Sequence, residues 1–199
     1  MKEPALFLDR DGVVTVEKGY ITDPDDLELI DGSSDAICMF TKLGMKVFII
    51  TNQSAVSRGM MTIERYFEIE NRLNEMLSEQ NAKITKTYFS PYHKDGVIPE
   101  YAVDHISRKP NPGMLLQASE EYEIDLSRSW MVGDNITDYW SAANASLEGF
   151  ILTKTGLGRK FSSNYKIFSK SILFDIVEKL GDINSTNYFQ TKYWESLSC

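Results

Sequence analysis

The sequence predicts an α/β protein in three layers, a parallel sheet covered by helices on both faces. Three observations lead there. Runs such as Ala5-Leu6-Phe7-Leu8 and Val47-Phe48-Ile49-Ile50 are apolar without polar alternation, the pattern of strands buried on both faces. Between them lie longer segments whose apolar residues recur at helical spacing. Most of the runs end in a cluster of polar residues, and the carboxyl ends of parallel strands are where such sheets bind ligands.

The first run ends in Asp9-Arg10-Asp11-Gly12-Val13. In extended chain residues i and i+2 point the same way, so Asp9 and Asp11 can address one site, and Gly12 lets the backbone turn without filling the cleft. Two adjacent carboxylates repel unless positive charge stands beside them, most simply a hard divalent cation such as Mg²⁺. A pair of solvated surface aspartates is the plainer alternative for this motif taken alone. Val13 to Asp26 is too polar for a core element and is expected to overlie the strand end.

Asp31-Gly32-Ser33-Ser34 supplies turn and N-cap residues for a helix with Ala36, Ile37, Phe40 and Leu43 on one face, ending at Gly44. The second strand runs out into Thr51-Asn52-Gln53-Ser54. Thr62 opens a long helix whose core stripe is Tyr66, Ile69, Leu73, Met76 and Leu77. A third strand is expected around Thr87-Tyr88-Phe89, then an irregular loop from Ser90 to Arg108, of a length that usually carries function. Asn111 and Pro112 read as N-cap and first residue of a helix to about Tyr122. The fourth strand, Trp130-Met131-Val132, ends in Gly133-Asp134-Asn135-Ile136-Thr137-Asp138 and a helix follows. The fifth, Gly149 to Leu152, leads into Thr155-Gly156-Leu157-Gly158-Arg159. A last helix is expected with Ile172, Leu173, Ile176, Val177 and Leu180 on one face. Residues 1–181 read as a single domain, and 182–199 as a polar tail that drapes on the surface or is partly mobile. The arrangement is Rossmann-like, with no room for a large cap domain between Asp11 and Ser33 or between Asn52 and Lys109.

With 199 residues, 42% hydrophobic and 25% charged, the chain can bury a core without disulfides or structural metals. The net charge of −8 argues against a nucleic-acid surface. Two cysteines, Cys38 and Cys199, are too few for a disulfide framework or a cysteine-rich zinc site. No apolar stretch approaches the ~18 residues of a membrane span. A cytoplasmic monomer, with neither nucleic acid nor membrane as partner, is the expectation.

Right-handed crossovers bring every strand's carboxyl end to one rim. That rim collects Asp9, Asp11, Thr51, Asn52, Arg108, Lys109, Asp134 and Asp138 from four separate segments. Carboxylates, a hydroxyl, an amide and two cations together suit phosphoryl transfer. One carboxylate can attack phosphorus and the other can exchange a proton with the leaving group, while Lys109 and Thr51 offset charge on the phosphoryl oxygens. Asp138 could ligate a metal, cap the following helix or orient a water; a supporting role behind the ligands is preferred.

These motifs resemble those of the haloacid dehalogenase (HAD) superfamily. Gly19-Tyr20, Thr51-Asn52-Gln53-Ser54-x-x-x-Arg58-Gly59 and Arg108-Lys109-Pro110-x-Pro112-Gly113-Met114 are similar to its histidinol-phosphatase-like branch, and within it to the D-glycero-D-manno-heptose 1,7-bisphosphate 7-phosphatase family. The resemblance covers about Leu6 to Arg159. It implies Asp9 as nucleophile, Asp11 as general acid/base, and a Mg²⁺ held by Asp9, the Asp11 carbonyl and Asp134. It further implies Thr51 and Lys109 as stabilisers of the phosphoryl group, and Glu17, Lys18, Gly19, Tyr20, Asn52, Gln53, Ser54, Arg108 and Asn135 as substrate contacts. The expected substrate is a small phosphorylated sugar, a heptose bisphosphate first, with histidinol phosphate or another small phosphomonoester as the alternative. A catalytically silent scaffold and a polynucleotide end phosphatase fit less well, given the intact aspartates and lysine and the acidic composition.

Two departures from that family stand out. Its zinc-loop positions correspond here to Ser90, Tyr92, His105 and Ser107, which lack soft thiolates, so zinc is not expected. His93 and His105 alone would make an incomplete tetrahedral site. Asn135 stands where relatives tend to carry a lysine, removing a positive charge beside the metal aspartate.

Overall fold

The computed structural model describes residues 2–162 and 172–186. Six strands form one fully parallel sheet: β1 (Ala5–Leu8), β2 (Lys46–Asn52), β3 (Lys86–Ser90), β4 (Trp130–Gly133), β5 (Gly149–Thr153) and β6 (Leu173–Val177). Their order is β3-β2-β1-β4-β5-β6. The strand order reverses between β1 and β4, which opens a crevice at their carboxyl ends.

The unbroken apolar runs serve two cores at once. Leu6 and Leu8 of β1, with Val47 and Ile49 of β2, face α1 (Ser33–Lys42) and α2 (Ile63–Glu79), meeting Ala36, Ile37, Phe40, Tyr66, Ile69, Leu73 and Leu77. Ala5, Phe7, Phe48 and Ile50 face the other way, onto Met114, Leu115 and Ala118 of α3 (Gly113–Tyr122) and Tyr139 and Ala142 of α4 (Ile136–Asn144). Period-two alternation along each strand therefore feeds opposite layers, which is why no polar residue interrupts it. A short α5 (Gly158–Ser162) follows β5.

The predicted caps hold unevenly. Thr62 caps α2 through its hydroxyl, which accepts the Arg65 N–H at 3.2 Å. At α1 the N-cap is Gly32, at φ +81° and without a side-chain bond, rather than a serine. Packing explains the choice: a Cβ on Gly32 would lie 3.3 Å from the Gly181 Cα, so two backbones touch there. At α3 the N-cap is Pro112, and Asn111 instead donates from Nδ2 to the His105 carbonyl at 3.1 Å.

The expected last helix is a correction. Residues 173–177 form β6, an edge strand paired with β5, and Leu180–Ser185 form a 3-10 turn. The spacing of Leu173, Ile176, Val177 and Leu180 suited a helix, but Phe174 and Ile176 pack on one core while Val177 packs on the other, and Leu173 is 50% exposed. Short apolar runs do not separate strand from helix by period, and the unpaired edge of β5 decided the outcome. The turn also ties down the start of the segment expected to drape as a tail. Leu180 and Ile183 are fully buried in the α1-side core, and Thr186 is buried after them. Residues 187–199, with Cys199, lie outside the described residues.

Ile183→Ala should therefore lower unfolding free energy by about 2–5 kcal/mol in urea denaturation, the usual cost of emptying a core site. An unchanged midpoint would mean the turn is not docked.

Candidate active site

The site begins where β1 stops. Sequence spacing suggested that Asp9 and Asp11 share a side because the chain stays extended, but the strand ends at Leu8 and the backbone coils. The Arg10 carbonyl accepts the amides of Val14 and Thr15, both at 2.9 Å. The Asp9 amide still donates to Val132 of β4 at 2.9 Å, anchoring the turn to the sheet. Gly12 sits at φ +82°, and both carboxylates line the same cavity.

Lys109 is the charge at the centre. Its side chain is only 2% exposed, and Nζ lies 2.9 Å from Asp9 Oδ1, 2.7 Å from Asp138 Oδ1 and 2.8 Å from the Ile50 carbonyl. Three ammonium protons meet three acceptors. Burial opposes the charge, yet Asp138 and Asp9 outweigh it and hold the ammonium above the ordinary lysine range. Asn52 fixes the backbone beneath it, donating from Nδ2 to the Lys109 carbonyl (3.1 Å) and accepting the Lys109 N–H on Oδ1 (3.0 Å). Asn52 lines the cavity, but both ends of its amide hold the lysine's backbone.

Asp134 comes from the end of β4 and is seated by glycines. A Cβ on Gly12 would fall 2.2 Å from Asp134 Oδ2, and one on Gly156, at φ +52°, 2.1 Å from it. The Leu157 N–H donates to the same oxygen at 2.7 Å. Burial, then the neighbouring Asp138, pushes the Asp134 carboxyl up to about 7. Asp9 is likewise raised, by burial first and Asp138 second, against the pull of Lys109. Asp138 is fully buried behind them, with one oxygen on Lys109 and the other accepting the Asn135 N–H at 3.0 Å. It closes a capping box at the start of α4 with Asn135, whose Oδ1 accepts the Thr137 amide.

The cavity, about 330 Å³, is lined by Asp9, Asp11, Glu17, Gly19, Tyr20 and Thr51. Asn52, Gln53, Ser54, Arg108, Lys109, Asp134 and Asn135 complete the predicted set there. Lys18 is not brought in; its ammonium turns to the Asp26 carbonyl and Glu28, each at 3.0 Å. An exposed turn at Gly19, whose N–H donates to Glu17 Oε1 at 2.6 Å, points it outward. Thr137 and Leu157 also line the cavity and were missed. Leu157 acts through a backbone amide, which side-chain reasoning does not see.

Arg108 lines the cavity, and Arg58 stands close to it. Burial, then Arg58, lowers the Arg108 guanidinium, and its Nη1 donates to the Tyr92 carbonyl at 2.9 Å. Arg58 lies 6.0 Å from the Tyr20 ring centre, with Nη2 3.4 Å from His93 Nε2. Ser90, Tyr92, His105 and Ser107 do meet in the loop that carries Arg108. His105 Nδ1 is 2.8 Å from Ser107 Oγ, which donates to Ser90 Oγ at 3.0 Å, and the Tyr92 ring stacks on His105 at 4.0 Å.

Among the described residues, Asp9, Asp134 and Asp138 are the one carboxylate group whose oxygens approach closely enough for a shared cation, within 4.8 Å of one another. Hard oxygen donors suit Mg²⁺, and the upward shifts of Asp9 and Asp134 mark a site short of positive charge. Asp138 is already engaged on both oxygens, which makes Asp9 and Asp134 the candidate side-chain ligands.

The same shifts fix a sign. An acid raised in the folded state holds a proton that the unfolded chain has lost, so stability from Asp134 falls as pH rises from about 4 to about 7 and stays low above. Asp9 acts in the same direction. Added Mg²⁺ should consequently raise Tm more at about pH 8 than at about pH 5.5. Equal increments at the two pH values in thermal melts would contradict this charge balance.

Comparison with known proteins gives a consistent result. A HAD-hydrolase-like family model matches residues 106–178. The chain is 40% identical over 153 residues to the D-glycero-beta-D-manno-heptose-1,7-bisphosphate 7-phosphatase of Yersinia pestis, covering 77% of this chain and 81% of that one. It is 36% identical to the protein of that name from Escherichia coli K12, covering 77% and 80%. Among solved structures it is similar to the D,D-heptose 1,7-bisphosphate phosphatase of B. bronchiseptica complexed with magnesium and phosphate, with TM-score 0.81 and 27% identity over 92% of this chain and 96% of that one. The identity to the curated relatives runs through most of both chains, so the chain belongs to the D-glycero-beta-D-manno-heptose-1,7-bisphosphate 7-phosphatase family of HAD-like hydrolases.

Proposed function

We propose that the protein is a Mg²⁺-dependent phosphatase that removes a phosphoryl group from a small sugar phosphate, D-glycero-D-manno-heptose 1,7-bisphosphate first. The observation that carries the reading is the meeting of Asp9, Asp11, Thr51 and Asp134, from three strand ends, with Lys109 of the loop before α3, in one small cavity. A cavity of that size admits a phosphorylated sugar.

In the first step an Asp9 oxygen attacks phosphorus. The bond from phosphorus to the leaving oxygen breaks, its electron pair goes to that oxygen, and Asp11 supplies the proton. Water then attacks the phosphoaspartate, Asp11 takes its proton, and the bond to Asp9 breaks to restore the carboxylate. Burial and Asp138 hold the Asp9 carboxyl raised despite the Lys109 ammonium at 2.9 Å, so the positive charge of a bound Mg²⁺ would complete what Lys109 begins and favour the ionised nucleophile. Thr51 is buried with its hydroxyl accepting from Gln53 Nε2 at 2.8 Å, which leaves its proton for a phosphoryl oxygen. Asp9, Asp134 and the Asp11 carbonyl would hold Mg²⁺, which when bound would supply positive charge against the phosphoryl oxygens. The Arg108 guanidinium in the cavity, with Arg58 beside it, suits a second phosphate. Asn135, tied to the start of α4, offers such a group no charge.

The contacts among Ser90, Tyr92, His105 and Ser107 support a loop that holds itself without zinc. No helix among the described residues is long and apolar enough to cross a membrane. A monomeric, cytoplasmic enzyme remains the proposal from composition.

Phosphate release with Mg²⁺ should favour the heptose bisphosphate over histidinol phosphate and sugar monophosphates, and Asp9→Asn should lose at least about 10³-fold in kcat, the scale of a lost nucleophile. Preference for a monophosphate would move the substrate to the alternative phosphomonoester class. Full activity in Asp9→Asn would overturn the mechanism.

A further inference from the structure

The mechanism so far leaves a deeply buried cation next to the site unused. Arg10, between the two aspartates, has a side chain 1% exposed. Its Nε lies 3.0 Å from Asp11 Oδ1 and 3.1 Å from Oδ2, and its Nη2 lies 2.9 Å from Oδ2. Thr15 Oγ1 donates to Oδ1 at 3.0 Å, and Gln53 Nε2 donates to Oδ2 at 3.0 Å. We propose that Arg10 is a positioning residue for Asp11, its guanidinium fork fixing, with Thr15 and Gln53, the direction in which that carboxylate exchanges a proton with the substrate. The inference rests on the acid/base reading of Asp11 above.

The energetics favour function over stability as the reason for this arginine. A buried ion pair repays its desolvation poorly, and apolar residues of similar volume commonly do as well or better. Here the cost is higher still, because Arg10 Nη1 is buried without a hydrogen-bond partner among the described residues. What the arrangement does secure is orientation. Three side chains place donors on both oxygens of one carboxylate, which has about four lone-pair sites. Asp11 cannot rotate without breaking several charge-assisted bonds, while its side chain keeps 15% exposure toward the cavity. A proton donor held in one direction avoids the orientational loss that a free carboxylate would suffer at each turnover. Arg10 approaches from the α2 side, near Tyr66 and Glu70, so it works from behind Asp11 without touching substrate. Lysine could not replace it fully, since an ammonium lacks the planar fork.

The test uses kcat/KM, which reports only the steps through transfer of the phosphoryl group to Asp9. A sugar phosphate needs a proton on its leaving oxygen, whereas p-nitrophenyl phosphate releases a stable phenolate without one. Asp11→Asn should lower the ratio of sugar phosphate to p-nitrophenyl phosphate kcat/KM, and Arg10→Met should lower it by about tenfold or more, within the range of general acid catalysis. Arg10→Lys should recover part of the loss. The double variant Arg10→Met/Asp11→Asn should match Asp11→Asn within about twofold, because a positioning residue has nothing left to position. Equal loss on both substrates in Arg10→Met, or a further fall in the double variant, would overturn the inference and make Arg10 structural. Should Arg10→Met alone fail to fold, the comparison of the double variant with Asp11→Asn, in which the unpaired carboxylate is gone, still decides. An unchanged ratio in Asp11→Asn would instead sink the acid/base reading, and this inference with it.

Discussion

The ammonium of Lys109 is the interaction on which the rest of the site depends. Asp9, Asp134 and Asp138 carry oxygens within 4.8 Å of one another inside the protein, an arrangement that mutual repulsion and desolvation both oppose. Lys109 reaches two of the three and uses its last proton on the Ile50 carbonyl. It can do so only because Asn52, at the end of β2, grips its backbone from both sides. The lysine is thus held by one strand end, neutralises a second, and anchors through Asp138 the helix that follows a third.

The sheet supplies the frame for that meeting. With β1 central and the strand order reversing beside it, the ends of β2, β1 and β4 are neighbours, and the chain leaving each carries a different part of the chemistry. The close fit is made by glycine. Gly12 and Gly156 both stand where any Cβ would collide with the Asp134 carboxylate, so the loops after β1 and β5 close directly on it. The loop after β5 contributes Thr155, which donates to the Gly12 carbonyl, and the Leu157 amide, which fixes Asp134. Backbone approach at this distance places Asp9, Lys109 and Asp134 in one closely packed unit.

Much of this was legible in the sequence because the signals were redundant. Buried parallel strands show as unbroken apolar runs, and polar residues at several of their ends converge by topology alone, so Asp9, Asp11, Thr51, Lys109 and Asp134 could be gathered without coordinates. What escaped was of two kinds. The residues of β6 were read as part of a helix because the apolar positions in and around them recur at helical spacing, and the pairing edge that decided otherwise belongs to β5. Arg10 and Leu157 were missed, and the grip of Asn52 on the Lys109 backbone was not foreseen, because that work is done on other protein groups. Nothing in their identity says that one grips a carboxylate from behind, another a backbone, and the third uses only its amide. Lys18 shows the converse: adjacent to lining residues in sequence, it is turned away by a single turn.

The measurement that bears most directly on this account is the unfolding free energy of Lys109→Met in urea at about pH 8, with and without Asp138→Asn. If the ammonium is what allows the carboxylates to sit together, its removal alone should cost about 3–5 kcal/mol, as the loss of one partner from a buried ion pair does, and Asp138→Asn should restore a large part of it. A Lys109→Met protein as stable as the wild type would mean the carboxylates need no such partner, and the account of the site would fail at its centre.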